Sequence, residues 1–165
     1  MRLASALCHL FAPPWLMRRA FSPAALDRIA AAIEVSEKSH RGEIRFAVEG
    51  PLEFWPVLRG FTPRQRALEV FSLLGVWDTE ENSGVLIYVQ LVDHDIEIIA
   101  DRGLSACLPQ LEWDAICRTM EAAFRTRRYE AGAQDGIARV GDLLARHFPA
   151  VHGNRNELPD RPAAL

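Results

Sequence analysis

The sequence has few cysteines, no long hydrophobic run and no excess of basic residues. Its three cysteines, Cys8, Cys107 and Cys117, are irregularly spaced and form no CxxC pair. Such a set argues against a disulfide scaffold and suits a reducing compartment. No stretch provides the roughly 20 consecutive apolar residues that a membrane span requires. The net charge of -3 also argues against a general nucleic-acid binder, which would be basic on some face.

The composition is that of one globular domain with two dissimilar ends. Of its 165 residues, 49% are apolar and 25% are charged, which is normal for a folded domain. A chain of this length buries enough surface to fold without disulfides. We predict an apolar N-terminal arm over residues 1–21, a compact domain over 22–149, and a polar C-terminal tail over 150–165. We expect the tail to be frayed or loosely docked.

The N-terminal arm is apolar but lacks the pattern of a signal peptide. Its apolar run at residues 3–7 is short, and Pro13-Pro14 follows without a small-residue cleavage site. We therefore expect a cytoplasmic protein. The alternative is a protein bound peripherally to a membrane. The arm either packs on the domain or contacts a protein partner or membrane surface. The side chains available for such a contact are Leu10, Phe11, Trp15 and Leu16.

Local patterns predict a small α/β fold. Ser22-Pro23 and Thr62-Pro63 are helix starts, because each places a capping hydroxyl before a proline at the first helical position. Helical spacing of apolar residues predicts further helices around 113–124 and 137–148, and strands are predicted at 43–48, 84–92 and 96–100. The order α-β-α-β-β-α-α predicts a small mixed β-sheet sandwiched between helices, with the first two strands parallel.

One edge of that sheet collects polar residues. The first two strands begin there and the third ends there, so residues 40–43, 78–82 and 101–102 are expected to meet. Carboxylate and amide oxygens are the ligands that Ca²⁺ or Mg²⁺ prefers. The simpler alternative is an acidic loop that is only solvated, which is the commoner case. Both interpretations stay open on these grounds.

The opposite edge offers Asp93-His94-Asp95 after an apolar strand. Its Asp-x-Asp spacing is that of phosphatases with an aspartate nucleophile, and ligands often bind at the carboxyl ends of parallel strands. However, Glu97 stands where that pattern has Thr or Val, and another strand follows at once. We interpret the three residues as a turn. No other established catalytic motif is present, and we expect Trp77 and Trp113 to be core residues.

Several short motifs, in their order and spacing, resemble the TPM domain. His40-Arg41-Gly42-Glu43-Ile44 opens the first strand. Asn82-Ser83-Gly84-Val85-Leu86-Ile87-Tyr88 is similar to the family's Asn-Gly-Val-Leu-Ile signature, and Asp101-Arg102-Gly103-Leu104 to its glycine-bearing turn. The resemblance covers residues 25–148 and implies helices around a mixed sheet. One departure is Ser83, which stands where the family has asparagine directly before the glycine.

The resemblance also implies functions. It implies divalent-cation binding at an acidic end loop, acid phosphatase activity as reported for a plant member, and roles in the assembly or repair of membrane complexes. Carried over by position, the ligands of this cation would be Glu43, Asp78, Asn82 and Asp101. The resemblance implies Ca²⁺ or Mg²⁺ as the cation.

Two functional hypotheses follow. The first is a weak, metal-assisted phosphomonoesterase in which Arg41 or Arg102 pairs with the phosphate; the sequence identifies no nucleophile for it. The second is a non-enzymatic module that binds a cation and a protein partner. The apolar arm favours the second, because an enzyme has no evident need of it.

Overall fold

The computed structural model describes residues 9, 10, 13, 15–52, 62–151 and 155–165. Within them the helices are α1 (Leu16–Ala20), α2 (Pro23–Glu37), α3 (Pro63–Leu73), α4 (Arg102–Ser105), α5 (Gln110–Arg125) and α6 (Tyr129–His147). The strands are β1 (Glu43–Glu49), β2 (Gly84–Gln90), β3 (Asp95–Ala100) and β4 (Ala163–Ala164). The predicted class, a mixed α/β fold, is confirmed.

The strands form one mixed sheet in the order β3-β2-β1-β4. β1 and β2 are parallel, with Glu43 opposite Gly84 and Glu49 opposite Gln90. β2 and β3 form the predicted antiparallel hairpin. The β1–β2 crossover includes α3, as a parallel connection requires. Both central strands are almost wholly buried, because helices or chain segments cover both faces of the sheet.

Alternate residues of β1 enter two different cores. Ile44, Phe46 and Val48 belong to the larger core, which α2, α5 and α6 cover. Ala47 belongs to a smaller core on the other face, where α3 packs. The period of two that predicted this strand therefore also sorts its side chains correctly between the faces.

The predicted helix starts are confirmed. The Ser22 hydroxyl accepts a hydrogen bond from the Ala25 N–H at 3.2 Å. Thr62 and Gln65 form a reciprocal capping box at the start of α3. Gly75, which follows the end of α3, has a φ of +64°, a conformation that glycine adopts without strain.

The C-terminal tail, expected to be frayed or loosely docked, is docked: β4 pairs in parallel with β1, and Leu158 is buried in the smaller core. One expectation about the fold is wrong. Trp77 is 54% exposed, because the chain beyond Gly75 directs Val76 inward instead; Trp113 is buried as expected. The one-turn helix α4 was not predicted from the sequence.

The arm packs partly on the domain. Ala20 and Phe21 are buried, and Leu16 packs against the larger core. His9 is buried and accepts a hydrogen bond from the Leu52 N–H at 2.9 Å. Leu10 and Trp15 remain exposed, and Phe11 lies outside the described residues. In the part of the chain that the structure covers, no helix is long and apolar enough to cross a membrane.

Candidate functional site

The predicted polar edge of the sheet exists. We call it the loop edge; it comprises residues 41–43, 78–83 and 101–102. Backbone hydrogen bonds join its segments: the Glu43 N–H donates to the Ser83 carbonyl at 3.1 Å, and the Gly103 N–H to the Asn82 carbonyl at 3.1 Å. The Asp101 N–H donates to the Gly84 carbonyl at 2.9 Å. The parallel β1–β2 pair and the returning β3 bring the three segments together, as the topology predicts.

Asp101 is the most unusual side chain of the loop edge. It precedes α4, and its Oδ1 accepts a hydrogen bond from the Arg102 N–H at 2.7 Å. The residue is only 9% exposed. Its other oxygen, Oδ2, is buried without a hydrogen-bond partner among the residues that the structure describes. An unsatisfied carboxylate oxygen is costly to bury, so this atom is a natural place for a ligand.

Asn82 lies beside Asp101 in a constrained backbone. Its φ is 53°, in the left-handed region that asparagine tolerates better than most residues. Its Oδ1 accepts a hydrogen bond from Nε of Arg102 at 2.7 Å. A Cβ on Gly103 would lie 2.7 Å from the carbonyl oxygens of both Glu81 and Asn82. Glycine at 103 therefore permits the close approach that brings Asn82 to α4.

Ser83, the departure from the family pattern, has a structural role. Its N–H donates to the Thr79 hydroxyl at 2.9 Å, and its own hydroxyl donates to the Arg41 carbonyl at 3.2 Å. The residue is 1% exposed. The hydroxyl is thus used to hold the chain before β1.

The two predicted anion-binding arginines both have partners within the protein. Nη1 of Arg41 donates to both carboxylate oxygens of Glu81, each at 2.8 Å, and Nε of Arg41 donates to the Pro149 carbonyl at 3.2 Å. Arg102 binds Asn82 as described. A phosphate would have to compete with these contacts. The role of both arginines in anion binding stays a prediction.

Glu43 is buried and holds the tail. Its Oε2 accepts hydrogen bonds from the Glu157 N–H at 3.1 Å and the Leu158 N–H at 3.2 Å. Burial raises the pKa of the Glu43 carboxyl, and these two donors partly offset that shift. One of its oxygens is therefore already in use, which limits what Glu43 can offer a cation. Its predicted role as a ligand is otherwise untested.

The acidic loop also contacts a residue that sequence reasoning missed. The Glu157 carboxylate accepts a hydrogen bond from the Glu80 N–H at 3.0 Å, so the tail adds a further carboxylate to the loop edge. No local pattern could have indicated this, because the two residues lie 77 positions apart. Asp78, the remaining predicted ligand, is exposed, and its N–H donates to the Gly75 carbonyl at 2.9 Å.

The loop edge does not contain a ready-made carboxylate cage. Across the described ranges, no group of three or more His, Cys, Asp or Glu side chains is arranged to hold a metal ion. A cation there would need the Asn82 amide, backbone carbonyls and water besides carboxylates. Such mixed oxygen sets are typical of Ca²⁺ and Mg²⁺.

The opposite edge is structural. His94 has a φ of 55° in the turn before β3 and stacks on Tyr129 at 6.2 Å between ring centroids. Burial and nearby acidic groups raise the pKa of Asp95 to about 6. Glu49 is engaged by the Arg66 guanidinium at 2.7 Å and by the Tyr88 hydroxyl at 2.5 Å. Asp93 and His94 lie in a turn, as interpreted, whereas Asp95 is already the first residue of β3.

Ser36 and His40 contact each other as a catalytic nucleophile and its general base would. The surrounding residues leave no room for a substrate at the serine hydroxyl. The Ser36 Oγ lies 3.0 Å from Nε2 of His40, whose Nδ1 contacts the Gly42 carbonyl at 2.9 Å. His40 is fully buried, and burial lowers its pKa. A Cβ on Gly141 would lie 2.0 Å from the Ser36 Oγ, so α6 covers the hydroxyl. The pair serves helix packing.

A family model and solved structures relate this chain to known proteins. The model of the TPM domain matches residues 17–143. The NMR structure of the BA42 protein from the psychrophilic bacterium Bizionia argentinensis is 29% identical with a TM-score of 0.78, covering 88% of this chain and 95% of that one. The solution NMR structure of an N-terminal domain from P. gingivalis is 22% identical with a TM-score of 0.58, covering 87% and 96%. That second likeness shows the fold alone. No curated protein matches the chain.

Proposed function

This chain belongs to the TPM domain family, and we propose that it is a non-enzymatic module that binds a divalent cation at the loop edge and a protein partner elsewhere. The observation that carries the cation proposal is the buried Asp101 carboxylate. Its Oδ2 has no partner in the described part of the chain. A carboxylate kept buried and unsatisfied is expensive unless a ligand completes it.

The proposed ligands are Asp101, Asn82 and Asp78, with Ca²⁺ or Mg²⁺ as the cation. Asp101 offers its Oδ2. Asn82 offers its amide oxygen, and it lies near Asp101 because Arg102 donates a hydrogen bond to each of these two side chains. Asp78 is exposed on the adjoining loop. Hard oxygen ligands of mixed charge suit these two ions, and water would complete the shell. Glu43 is a weaker candidate, because the tail uses its Oε2.

A bound cation would compete with the Arg102 side chain. Its guanidinium donates to Asn82 Oδ1 at 2.7 Å, and it places a positive charge where the cation would bind. Binding would therefore require the Arg102 side chain to leave Asn82. That exchange predicts modest affinity, because part of the gain replaces an existing hydrogen bond.

Thermal unfolding tests the cation proposal. A cation at about 100 times its dissociation constant stabilises the fold by about 2.7 kcal/mol, so millimolar Ca²⁺ or Mg²⁺ should raise the melting temperature of the wild type. Asp101→Asn should abolish the shift. The control variant Asp142→Asn removes an exposed acid on α6. It should show the same rise in melting temperature as the wild type. Equal shifts in all three proteins would mean that the ion acts only by general screening.

The arm is the proposed contact for a protein partner, and we propose that this partner belongs to a membrane-associated complex. Trp15 is 53% and Leu10 58% exposed, and the Arg19 guanidinium lies 5.6 Å from the Trp15 ring. An exposed tryptophan beside arginines is typical of binding surfaces. Trp15→Ala should leave the melting temperature within about 1 °C if the residue serves a partner. A large drop would instead show that it supports the fold.

The non-enzymatic part of the proposal is tested with a phosphatase assay. Hydrolysis of p-nitrophenyl phosphate with Mg²⁺ or Ca²⁺ should not exceed that of a blank. Turnover that disappears in the Asp78→Ala, Asp101→Ala double variant would overturn this part and support the phosphomonoesterase.

A further inference from the structure

The outer faces of α5 and α6 form a shallow groove, which we call the helix groove. Its larger end has a volume of about 750 Å³. A smaller end of about 260 Å³ continues from it, because Ala115 and Thr119 line both. The α5 residues that line the groove extend from Glu112 to Ala123, which is roughly 16 Å of helix. A long, open groove suits a segment of a macromolecule better than a small molecule, which its site normally encloses.

Small residues form the floor of the larger end. Ala122 and Ala131 are exposed there, Ala123 is half-buried and Gly132 is buried. At Gly132 the two helices lie close together, since a Cβ on this residue would lie 2.8 Å from the Ala123 Cβ. These four residues carry nothing larger than a methyl group. The backbone of a third helix could therefore approach the floor closely.

The groove offers an occupant no backbone hydrogen bonds along its length. Within α5 and α6 the N–H and C=O groups bond to each other along the helix. An extended chain laid over this surface would bury its own backbone polar groups without partners, which is costly. A helix satisfies its backbone internally. The groove therefore favours a helix as its occupant.

The rim of the larger end carries positive charge that no acid neutralises. Arg118 and Arg128 both line it and both are exposed. Arg118 makes no hydrogen bond or ion pair with the residues that the structure describes. Arg128 donates from Nε to the uncharged Thr126 hydroxyl at 3.0 Å. Both guanidinium groups could accept an acid from outside the chain.

The acids on the adjoining turns of α5 and α6 do not compete for these two arginines. Three of them each form an ion pair with a different arginine. The pairs are Asp135 with Arg139, Glu121 with Arg125, and Glu130 with Arg28. The chain as a whole carries a net charge of -3. The positive charge at this rim is therefore a local feature rather than a property of the whole surface.

We propose that the helix groove binds an acidic amphipathic helix of a partner protein. The small apolar side chains of that helix lie on the floor, and its glutamate or aspartate side chains lie opposite Arg118 and Arg128. Carboxylates form strong, charge-assisted hydrogen bonds with guanidinium groups. Among the described residues, those that line the groove include none from the loop edge or the arm. The inference therefore depends neither on the proposed cation nor on the arm.

A peptide-binding experiment on the full chain tests the inference. The probe is a fluorescein-labelled peptide of about 20 residues, long enough to form a helix, with alanine and leucine on one face and glutamate on the other. The matched control peptide has lysine at every glutamate position. Binding is measured by fluorescence anisotropy in the presence of EDTA, which removes any effect of divalent cations. We expect the glutamate peptide to bind at least about tenfold more tightly, whereas attraction to the net charge of the chain alone would favour the lysine peptide.

Variants at exposed positions make the test specific without disturbing the core. The double variant Arg118→Gln, Arg128→Gln should weaken binding of the glutamate peptide at least about tenfold, and Arg155→Gln, in the tail, should change it by less than about twofold. Ala122→Gln places a larger neutral side chain on the floor and should weaken binding at least about fivefold. Its control is Ala138→Gln, at an exposed position of α6 that does not line the groove.

Three outcomes would overturn the inference. The first is that neither peptide binds at millimolar concentration. The second is that the lysine peptide binds as tightly as the glutamate peptide. The third is that the double arginine variant or Ala122→Gln binds the glutamate peptide as the wild type does.

Discussion

Arg102 ties together two of the side chains proposed as cation ligands, Asp101 and Asn82. Its backbone N–H donates to Asp101 Oδ1 and its Nε to Asn82 Oδ1, both at 2.7 Å. The two contacts differ in consequence. The backbone contact orients Asp101 and can persist with a cation bound. The side-chain contact places a positive charge on the amide oxygen that the cation needs.

Arg102→Gln should therefore strengthen cation binding. Removing one charge close to a divalent cation near the surface is worth about 1 kcal/mol, or roughly fivefold in affinity. Isothermal titration calorimetry with Ca²⁺ and with Mg²⁺ measures the change. Arg139→Gln, which removes a distant arginine paired with Asp135, is the control and should have no effect. Weaker binding in Arg102→Gln would show that the arginine supports the site instead.

Gly103→Ala should destabilise the protein and disturb the loop edge. The added Cβ would meet two backbone carbonyl oxygens at 2.7 Å, and backbone yields less easily than a flexible side chain. We expect a loss of about 1–3 kcal/mol in the free energy of unfolding, measured by urea denaturation. Gly50→Ala is the control, because its Cβ would lie 3.6 Å from the Met17 Cε, an ordinary contact. Equal losses in both variants would contradict this explanation.

Glu37→Gln should change how stability depends on pH. Burial raises the pKa of Glu37 from 4.5 to about 8, so above pH 4.5 the folded state keeps a proton that the unfolded state has lost. Stability contributed by this group is therefore complete below pH 4.5 and falls as the pH rises to about 8. The variant cannot ionise and should be more stable than the wild type at pH 8 by about 1–3 kcal/mol.

Urea denaturation at pH 5 and pH 8 measures this effect. The difference between the variant and the wild type should be small at pH 5 and larger at pH 8. Glu34→Gln is the control, because Glu34 is exposed beside Lys38, and it should change stability by less than about 0.5 kcal/mol at either pH. A benefit of Glu37→Gln that is equal at both pH values would mean that its cause is not ionisation.

Leu158→Ala should release residues 155–165, the strap that pairs with the outer edge of β1. Leu158 is 8% exposed and packs in the smaller core, and truncating a buried leucine costs about 2–5 kcal/mol. The amide of Leu165 should exchange faster in hydrogen-exchange measurements, while the amides of β2 keep their protection. Leu111→Ala, at a residue that is 69% exposed, is the control. Unchanged exchange at Leu165 would show that the strap docks without its apolar anchor.

The local parts of the fold could be predicted because their signals are local. Ser22-Pro23 and Thr62 with Gln65 satisfy helix ends within four residues, and the alternation of β1 records which face each side chain enters. The contact among the loop-edge segments could also be predicted from the sequence. The direction of each strand determines which strand ends share an edge of the sheet.

The features that the sequence did not predict lie where distant residues decide the structure. The tail is polar and contains proline, and nothing near it indicates that Glu43 binds its backbone across 114 positions. Trp77 looked like core by its size, but the left-handed Gly75 turns the chain so that Val76 enters the core. The Asp101 oxygen that lacks a partner among the described residues is placed by the packing of three segments, which no motif describes.

The parallel contact between β1 and the strap also has a consequence for synthesis. Residues 155–165 leave the ribosome after every other segment of the sheet, so β1 must wait with one side unpaired while β2 and β3 assemble on the other. An open strand edge is where nascent chains associate wrongly. Charged Glu43 and Arg45 stand on that strand, and in the interval before the strap arrives they would discourage pairing with a neighbouring chain.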